Sequence, residues 1–477
     1  MLAVGGEARI LEVPGEPALL AKVYHQPSPE RAAKLRVMLA HPPLDPMAAQ
    51  HHRSFAWPAD LLYAGSSSDR IVGFLMPRVT GLRRIIDYFN PKTRRQHCPC
   101  FNYFYLHRTA YNLAASVRAL HEGGYVLGDV NESNILVSDR TLVSLVDTDS
   151  FQVWDAQNGV LHRCRVGKPE FTPPELQGKN FSQVDRQPAH DLYGLGVLLF
   201  ELLMEGSHPF AGAYLRSGEP PTIEQRIRQG FFPQVQTPGV PFKPAPASVP
   251  FAVLHPPLQH LFMRCFFDGH RNPALRPEIQ SWLWALEEAE KHLVTCWINE
   301  QHLYSDHLAT CPWCERTQRL GGRDPFPSLE AVQRGEHLRP PPCGPRSESP
   351  PAPVTAGPPP PLPRRIAPLP VLPKAKSGRG RLPSGRSWPG AQWPHPPNYA
   401  AWSSVIVALL GLLGGRGWFY LLSDRSIFVG LFAVGLGAYG EIQSRAWGID
   451  RRSRWLARAG MGLGALDLLG YVIHRFS

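Results

Sequence analysis

The stretch that most constrains this chain spans residues 121–151, HEGGYVLGDVNESNILVSDRTLVSLVDTDSF. Two short apolar runs, residues 134–137 and 142–146, read as β-strands joined by a turn at Ser138-Asp139-Arg140. Asp129 precedes Asn134 by five residues, and Asp147 and Asp149 close the second run. A hairpin that brings Asp129, Asn134 and Asp147 to one mouth sets oxygen ligands beside a free carboxylate. Mg²⁺ takes carboxylate and amide oxygens together with substrate phosphates. A carboxylate not tied to metal can orient a hydroxyl and accept its proton. Asp129 and Asn134 alone suit a polar hairpin equally well, with Asp and Asn serving its turns; the spacing to Asp147 argues for the site.

The flanks carry further signals. Residues 101–121 place Leu106, Ala110, Leu113, Ala114, Val117 and Leu120 at helical spacing and lead straight into the hairpin. Near the start, Gly5-Gly6 makes a turn into a strand, a backbone shape that can approach phosphate and that also suits a plain hairpin. The next strand, residues 18–24, is apolar around Lys22. A lysine in a buried strand needs an anionic partner; on an edge strand it would snorkel to water. Residues 29–39 have helix character, with Pro29 at the start.

Taken together these stretches resemble the protein-kinase superfamily. The catalytic loop H-R-D-x4-N appears as Leu127-Gly128-Asp129 with Asn134, and D-F-G as Asp147-Thr148-Asp149. Phe171-Thr172-Pro173-Pro174-Glu175 is similar to A-P-E. Asp191 opens a hydrophobic helix like the buried helix of the large lobe, and Arg276 resembles the arginine that pairs with the A-P-E glutamate. The resemblance implies that Asp129 is the catalytic base and that Asn134 and Asp147 hold Mg²⁺ or Mn²⁺. It further implies that Lys22 holds the phosphates of ATP, Gly5 and Gly6 lie over them, and the backbone at Leu75 and Met76 faces adenine. Glu175, Asp191 and Arg276 are expected to be structural, with Asp191 capping its helix and bracing the catalytic loop. The helix glutamate that partners the lysine would have to be Glu30, the only acid in residues 29–39, which lies at the first turn. Three positions depart from the pattern: Leu127-Gly128 replaces His-Arg, Asn131 stands where Ser/Thr kinases carry a lysine, and D-T-D replaces D-F-G. Losing that lysine removes a positive charge from the γ-phosphate, which Lys168 or a nearby arginine would have to restore. Most of the first strand and the first glycine of G-x-G-x-x-G are absent, so either the start lies further upstream or the nucleotide lid is cut short.

Residues 293–318 hold Cys296, His302, His307, Cys311 and Cys314. Cys311-Pro312-Trp313-Cys314 is a knuckle turn on which two thiolates can share one metal. Tetrahedral Zn²⁺ needs two more ligands, and Cys296 is within reach, with His302 and His307 competing for the fourth place. The segment resembles short zinc-ribbon modules that follow kinase-like domains in some bacterial proteins, where the histidine falls six residues after the first cysteine; that favours His302. A redox Cys-x-x-Cys pair is the alternative. Zinc is preferred because so short a segment lacks a core of its own, and its role would be structural. Cys98 and Cys100 read as non-ligands.

With 477 residues, more than one domain is expected, and 51 prolines are too many for one compact fold. Residues 319–400 read as a disordered Pro/Arg-rich linker. The net charge of +11 gathers there, in Arg364, Arg365, Lys374, Lys376, Arg379, Arg381 and Arg386, so anionic lipid is the expected partner and nucleic acid is not. Residues 402–422, 427–439 and 456–473 read as two or three membrane passes. The arginines at 445, 451, 452 and 454 would face the cytoplasm.

The expected architecture is α+β: a small lobe over residues 1–80, a large lobe over 81–292, the zinc module over 293–318, the linker, and a helical membrane segment over 401–477. The expected function is a Ser/Thr-kinase-like phosphotransferase acting on an unknown protein substrate, anchored in the inner membrane of a bacterial cell with the kinase domain in the cytoplasm. The alternative is a pseudokinase scaffold that binds nucleotide or a partner without catalysis.

Overall fold

The computed structural model describes residues 2–65, 69–235 and 239–339. They form two lobes around two separate apolar clusters.

The small lobe is built on a five-stranded antiparallel sheet in the order β1-β2-β3-β5-β4. Its strands are β1 (Ala3–Val4), β2 (Ala8–Glu12), β3 (Leu19–Tyr24), β4 (Asp60–Tyr63) and β5 (Ile71–Pro77). Helix α1 (Pro29–Ala40) starts where Ser28 accepts from the Arg31 N–H, with Pro29 in the first turn. It buries Ala32 and Leu35 against Tyr24, Ile71 and Phe74 of the sheet. In β3, Lys22 and Tyr24 are two residues apart, share one face, and are both buried.

The large lobe is mostly helical. Tyr103–Glu122, capped by Asn102, packs against Pro188–Leu203 and Ile279–Lys291. Against the Tyr103–Glu122 helix lies a three-stranded sheet of β6 (Leu82–Arg84), β7 (Ile135–Ser138) and β8 (Val143–Leu145), in which Ile135 faces Leu145 and Val137 faces Val143. This is the hairpin read from residues 134–146, and its inward side chains are fully buried. The sheet delivers residues 129–134 and 147–150 to one end.

Arg276 fastens the far side of this lobe. Its guanidinium is fully buried and donates to both Glu175 carboxylate oxygens at 2.7 Å, and to the carbonyls of Gly269 and Ala189. Glu175→Ala leaves that cation buried without its counter-charge. It is expected to cost about 3–5 kcal/mol, measured as a lower denaturant midpoint at unchanged slope.

The structured chain runs past the start of the expected linker. Phe326 is fully buried in the large-lobe cluster, and helical turns at Leu329–Gln333 and Glu336–Leu338 follow. The apolar ring of Phe326 packs against Trp313 and Tyr103, a contact that composition alone does not reveal. Residues 340–400 of the linker lie outside the described residues.

The membrane expectation is corrected. Among the described residues no helix is long and apolar enough to cross a membrane. The three stretches read as passes, 402–422, 427–439 and 456–473, lie outside the described residues. Each is short or interrupted, by Arg416, by Arg458 and Asp467, against the roughly 20 apolar residues that a span needs. The membrane tether, the lipid partner and the multi-pass inner-membrane location are therefore withdrawn.

Candidate active site

The catalytic-loop residues meet at the mouth of the β7–β8 hairpin. The Asn134 amide nitrogen donates to Asp129 Oδ2 at 3.2 Å, and the Val146 N–H reaches the Asn134 carbonyl at 2.9 Å. Asp129 Oδ1 is buried with no hydrogen-bond partner. Burial pushes the Asp129 carboxyl above its ordinary value, the Asn131 and Asn134 side chains oppose that shift, and the charge of Asp147 adds to it. A carboxylate with one oriented oxygen and one uncommitted oxygen is suited to accept a proton.

The loop itself is held from below. Asp191 accepts from the N–H groups of Leu127 and Gly128, both at 2.8 Å, and from His121 Nε2 at 2.9 Å. Its own helix is capped by Gln187 and His190 instead, so Asp191 braces the loop and leaves the cap to others. Gly128 has φ +74°, and a Cβ there would lie 2.6 Å from Cys164 Cβ. No arginine fits in that position. Arg186 fills the gap from the other side, donating to the carbonyls of Gly128 (2.7 Å) and Val166 (3.0 Å) and stacking on Phe181. It ties the segment after β8 to the catalytic loop through backbone oxygens. Asn131 is buried and accepts from the Ser133 N–H at 2.9 Å, so it shapes the turn and brings no charge. Lys168 lies beside it but is engaged by Glu132 (2.8 Å) and Ser133 (2.5 Å).

Across the cleft, Lys22 Nζ donates to Asp147 Oδ1 and to Asp149 Oδ1, each at 2.5 Å. Burial alone would lower the lysine; the two carboxylates outweigh it and hold its pKa above 10.5. Asp147 takes the left-handed backbone conformation at φ +59° and its side chain is 43% exposed, whereas that of Asp149 is 7% exposed. Asp147 thus keeps an oxygen toward the cleft. Tyr24 completes Asp149, its hydroxyl donating to Oδ2 at 2.8 Å. Lys34 of α1 lies in the field of both aspartates and Cys164, and burial lowers its ammonium to about 8. Glu30 does not reach Lys22; it accepts from Arg165 at the surface, both oxygens at 2.7 Å.

The residues expected to face nucleotide lie on the small-lobe sheet and its first turn. Gly5 and Gly6 form the exposed β1–β2 turn, closed by the Gly5 N–H to the Ala8 carbonyl at 2.9 Å. Leu75 pairs with Ala21 on one side and Asp60 on the other, and its carbonyl accepts from the Ala59 N–H. Its backbone belongs to the sheet. Met76 pairs with Leu20, and the chain leaves the sheet only after Pro77. The Arg78 N–H is still taken by the Ala18 carbonyl at 2.8 Å, so the stretch with backbone left to meet a base begins after it, at residues 79–81.

The Cys/His group is compact. The ligand atoms of Cys296, His302, Cys311 and Cys314 all lie within 4.8 Å of one another. Cys296 and Cys314 sulfurs are 3.6 Å apart, and His302 Nδ1 is 3.4 Å from Cys314 Sγ and 3.6 Å from Cys311 Sγ. Ligands at the vertices of a tetrahedron around Zn²⁺ are spaced by roughly these distances. His302 Nε2 turns away to the Asp324 carboxylate at 2.9 Å, the outer hydrogen bond that fixes a ligating histidine. His307 is engaged elsewhere, by Ser305 and the Ala252 carbonyl. The donor set can hold a divalent metal such as zinc. Cys98 and Cys100 are not in the group.

Reading the sequence missed Tyr24, Lys34, Arg186 and Asp324. Only Tyr24 had a local signal, two residues from Lys22 on the same face of a strand. The other three act across long sequence separations.

Residues 82–267 match the model of the protein kinase domain. Over 318 residues, 66% of this chain, the sequence is 35% identical to Protein kinase YegI of Escherichia coli O157:H7, covering 48% of that protein. It is equally similar to Protein kinase YegI of Escherichia coli strain K12, covering 47% of it. A stretch of 110 residues, 21% of the chain, is 33% identical to the meiosis-specific serine/threonine-protein kinase mek1 of Schizosaccharomyces pombe, covering 25% of that protein. The chain spans about half the length of the YegI proteins it matches. Residues 82–267 thus resemble a protein kinase domain, and the chain is similar to proteins named as protein kinases.

Proposed function

We propose that this chain transfers the γ-phosphoryl group of ATP to a serine or threonine hydroxyl of a protein substrate. The observation that carries this reading is Asp129, with a buried, unpartnered oxygen, held beside Asn134 and within the field of Asp147. Asp129 would orient the acceptor hydroxyl and take its proton. Asn134 and Asp147 would offer oxygens to Mg²⁺ or Mn²⁺, and Lys22 would meet the phosphates. ATP with its divalent cation supplies the activated phosphoryl group; the chain supplies position and charge. The hydroxyl-acceptor class is supported by the names of the relatives, one of which is a serine/threonine-protein kinase. Cys296, His302, Cys311 and Cys314 would hold one structural zinc.

A second reading has its own observation. Among the described residues no free cation stands at the catalytic loop, because Asn131 is neutral and Lys168 is paired. A nucleotide-binding pseudokinase would fit that arrangement. The experiment that decides is incorporation of radiolabelled phosphate from ATP by the full chain, with Mg²⁺ or Mn²⁺, beside Asp147→Asn. Incorporation by the wild type that disappears in the variant supports transfer. Tight nucleotide binding with no incorporation in either metal refutes it.

A further inference from the structure

Helix α1 contains one acid, Glu30, and that acid is exposed and paired with Arg165. Lys22 is nevertheless buried and fully charged. Its counter-charge comes from the turn after β8. Both oxygens of Asp149 are spoken for, Oδ1 by Lys22 and Oδ2 by the Tyr24 hydroxyl, and the side chain is almost wholly buried. Asp147 contributes one oxygen to Lys22 and remains partly open to the cleft. The turn between them is pinned to the small lobe, with the Thr148 hydroxyl donating to the Ala56 carbonyl at 2.9 Å.

We propose that Asp149 is the positioning residue for Lys22, replacing a helix-borne glutamate, so that the phosphate-facing lysine is anchored by the loop after β8 and by Tyr24 and not by α1. The two aspartates of Asp147-Thr148-Asp149 then divide the work: the open one is left for metal, and the closed one for the lysine. Each Asp149 oxygen already accepts a hydrogen bond, and the side chain is only 7% exposed, which disfavours it as a metal ligand beside the open Asp147. No hydrogen bond to Lys22 comes from α1, although that helix packs on Tyr24 and carries Lys34 in the field of both aspartates.

The assignment of Lys22 to phosphate rests on the phosphotransfer reading above, so the test has an arm that needs no nucleotide. Full-length chains carrying Lys22→Met, Asp149→Asn, Tyr24→Phe and Glu30→Gln, and the doubles of Lys22→Met with Asp149→Asn or Glu30→Gln, are compared by thermal unfolding. Removing one member of a buried charged pair strands the other, and removing both relieves it. The Lys22→Met/Asp149→Asn double is therefore expected to melt at or above the lower-melting of its two single variants. Tyr24→Phe should give a smaller loss, and Glu30→Gln should be additive with Lys22→Met. Additive losses for Lys22 and Asp149, or coupling of Lys22 to Glu30 instead, overturn the proposal.

The second arm measures affinity for ADP and ATP with Mg²⁺ and with EDTA. Asp149→Asn is expected to weaken binding about tenfold or more in both conditions, and to add nothing in the Lys22→Met background. Asp147→Asn should remove only the Mg²⁺-dependent part. Loss in Asp149→Asn confined to the Mg²⁺ condition would make Asp149 a metal ligand and refute its assigned role. Absence of nucleotide binding by the wild type would sink the phosphotransfer reading, with the unfolding arm still deciding the pairing.

Discussion

Asp129→Asn is expected to reduce phosphate transfer by about 10²–10⁴-fold, the range over which a positioned general base acts, while the fold holds or gains stability. The two effects have one cause. Asp129 is buried, and burial raises its carboxyl above the ordinary aspartate value. A group whose folded pKa is raised contributes stability that is fully present below its unfolded pKa and is lost as pH rises through the folded one. At neutral pH the charged carboxylate is therefore a cost to the fold. Asparagine removes that cost and can still accept the 3.2 Å hydrogen bond from Asn134. For the wild type the sign runs the other way in activity. The base is lost as pH falls through the raised folded pKa, so transfer should fall off on the acid side at a pH above that of an unperturbed aspartate. Melting temperature and initial rate on one set of samples check both. An Asp129→Asn variant that keeps its rate, or that loses rate and fold together, would show that Asp129 is not the base.

Asp129, Asn134 and Asp147 were legible because their spacing is local and the two strands between them are short continuous apolar runs. The long helix at Tyr103–Glu122 was legible from its repeat, and Glu175 and Arg276 from their places in motifs 101 residues apart. What escaped was decided by contacts that no spacing encodes. Lys22 was recognised as needing an anion, but Glu30 sits at the first turn of α1, turned toward Arg165. The required charge came from Asp149 instead, 127 residues away. Gly128 read as a missing arginine; in the fold it is a close approach to Cys164, and Arg186 supplies the missing guanidinium from another segment. Leu75 looked like a hinge residue because strand and hinge are continuous in sequence, and only pairing on both edges reveals that its backbone is occupied. The apolar tail misled for a different reason. Runs interrupted by Arg416, by Arg458 and Asp467, or only 13 residues long, satisfy a local reading of hydropathy, while among the described residues no helix is long and apolar enough to cross a membrane.

Removal of metal is expected to loosen the large lobe and not merely the Cys/His segment. The knuckle helix Pro312–Arg319 is not a free appendage. Trp313 is fully buried, donates to the Leu303 carbonyl at 2.6 Å, and packs edge-on to Tyr103 and Phe326 at 4.8 Å each. Arg316 and Arg94 share the buried carboxylate of Glu205, and Arg94 lies over the Phe326 ring at 4.3 Å. Detaching the knuckle exposes these rings and separates buried charges at the same time, and each change opposes folding. Structural zinc contributes apparent free energies of about 10–16 kcal/mol in small modules, enough to outweigh the stability of an ordinary domain. The full chain should carry about one zinc by elemental analysis. Cys311→Ser should lose it, lower the melting temperature, and raise hydrogen exchange at the start of the Tyr103–Glu122 helix as well as in residues 293–318. Asp324→Asn should weaken zinc binding about 10–100-fold without abolishing it, because it acts through His302. His307→Ala should retain the metal. Zinc loss that leaves protection around Tyr103 unchanged would mean the module folds by itself, and a chain that is stable and metal-free as purified would remove zinc from the account, leaving Trp313 and Phe326 to hold the segment by packing alone.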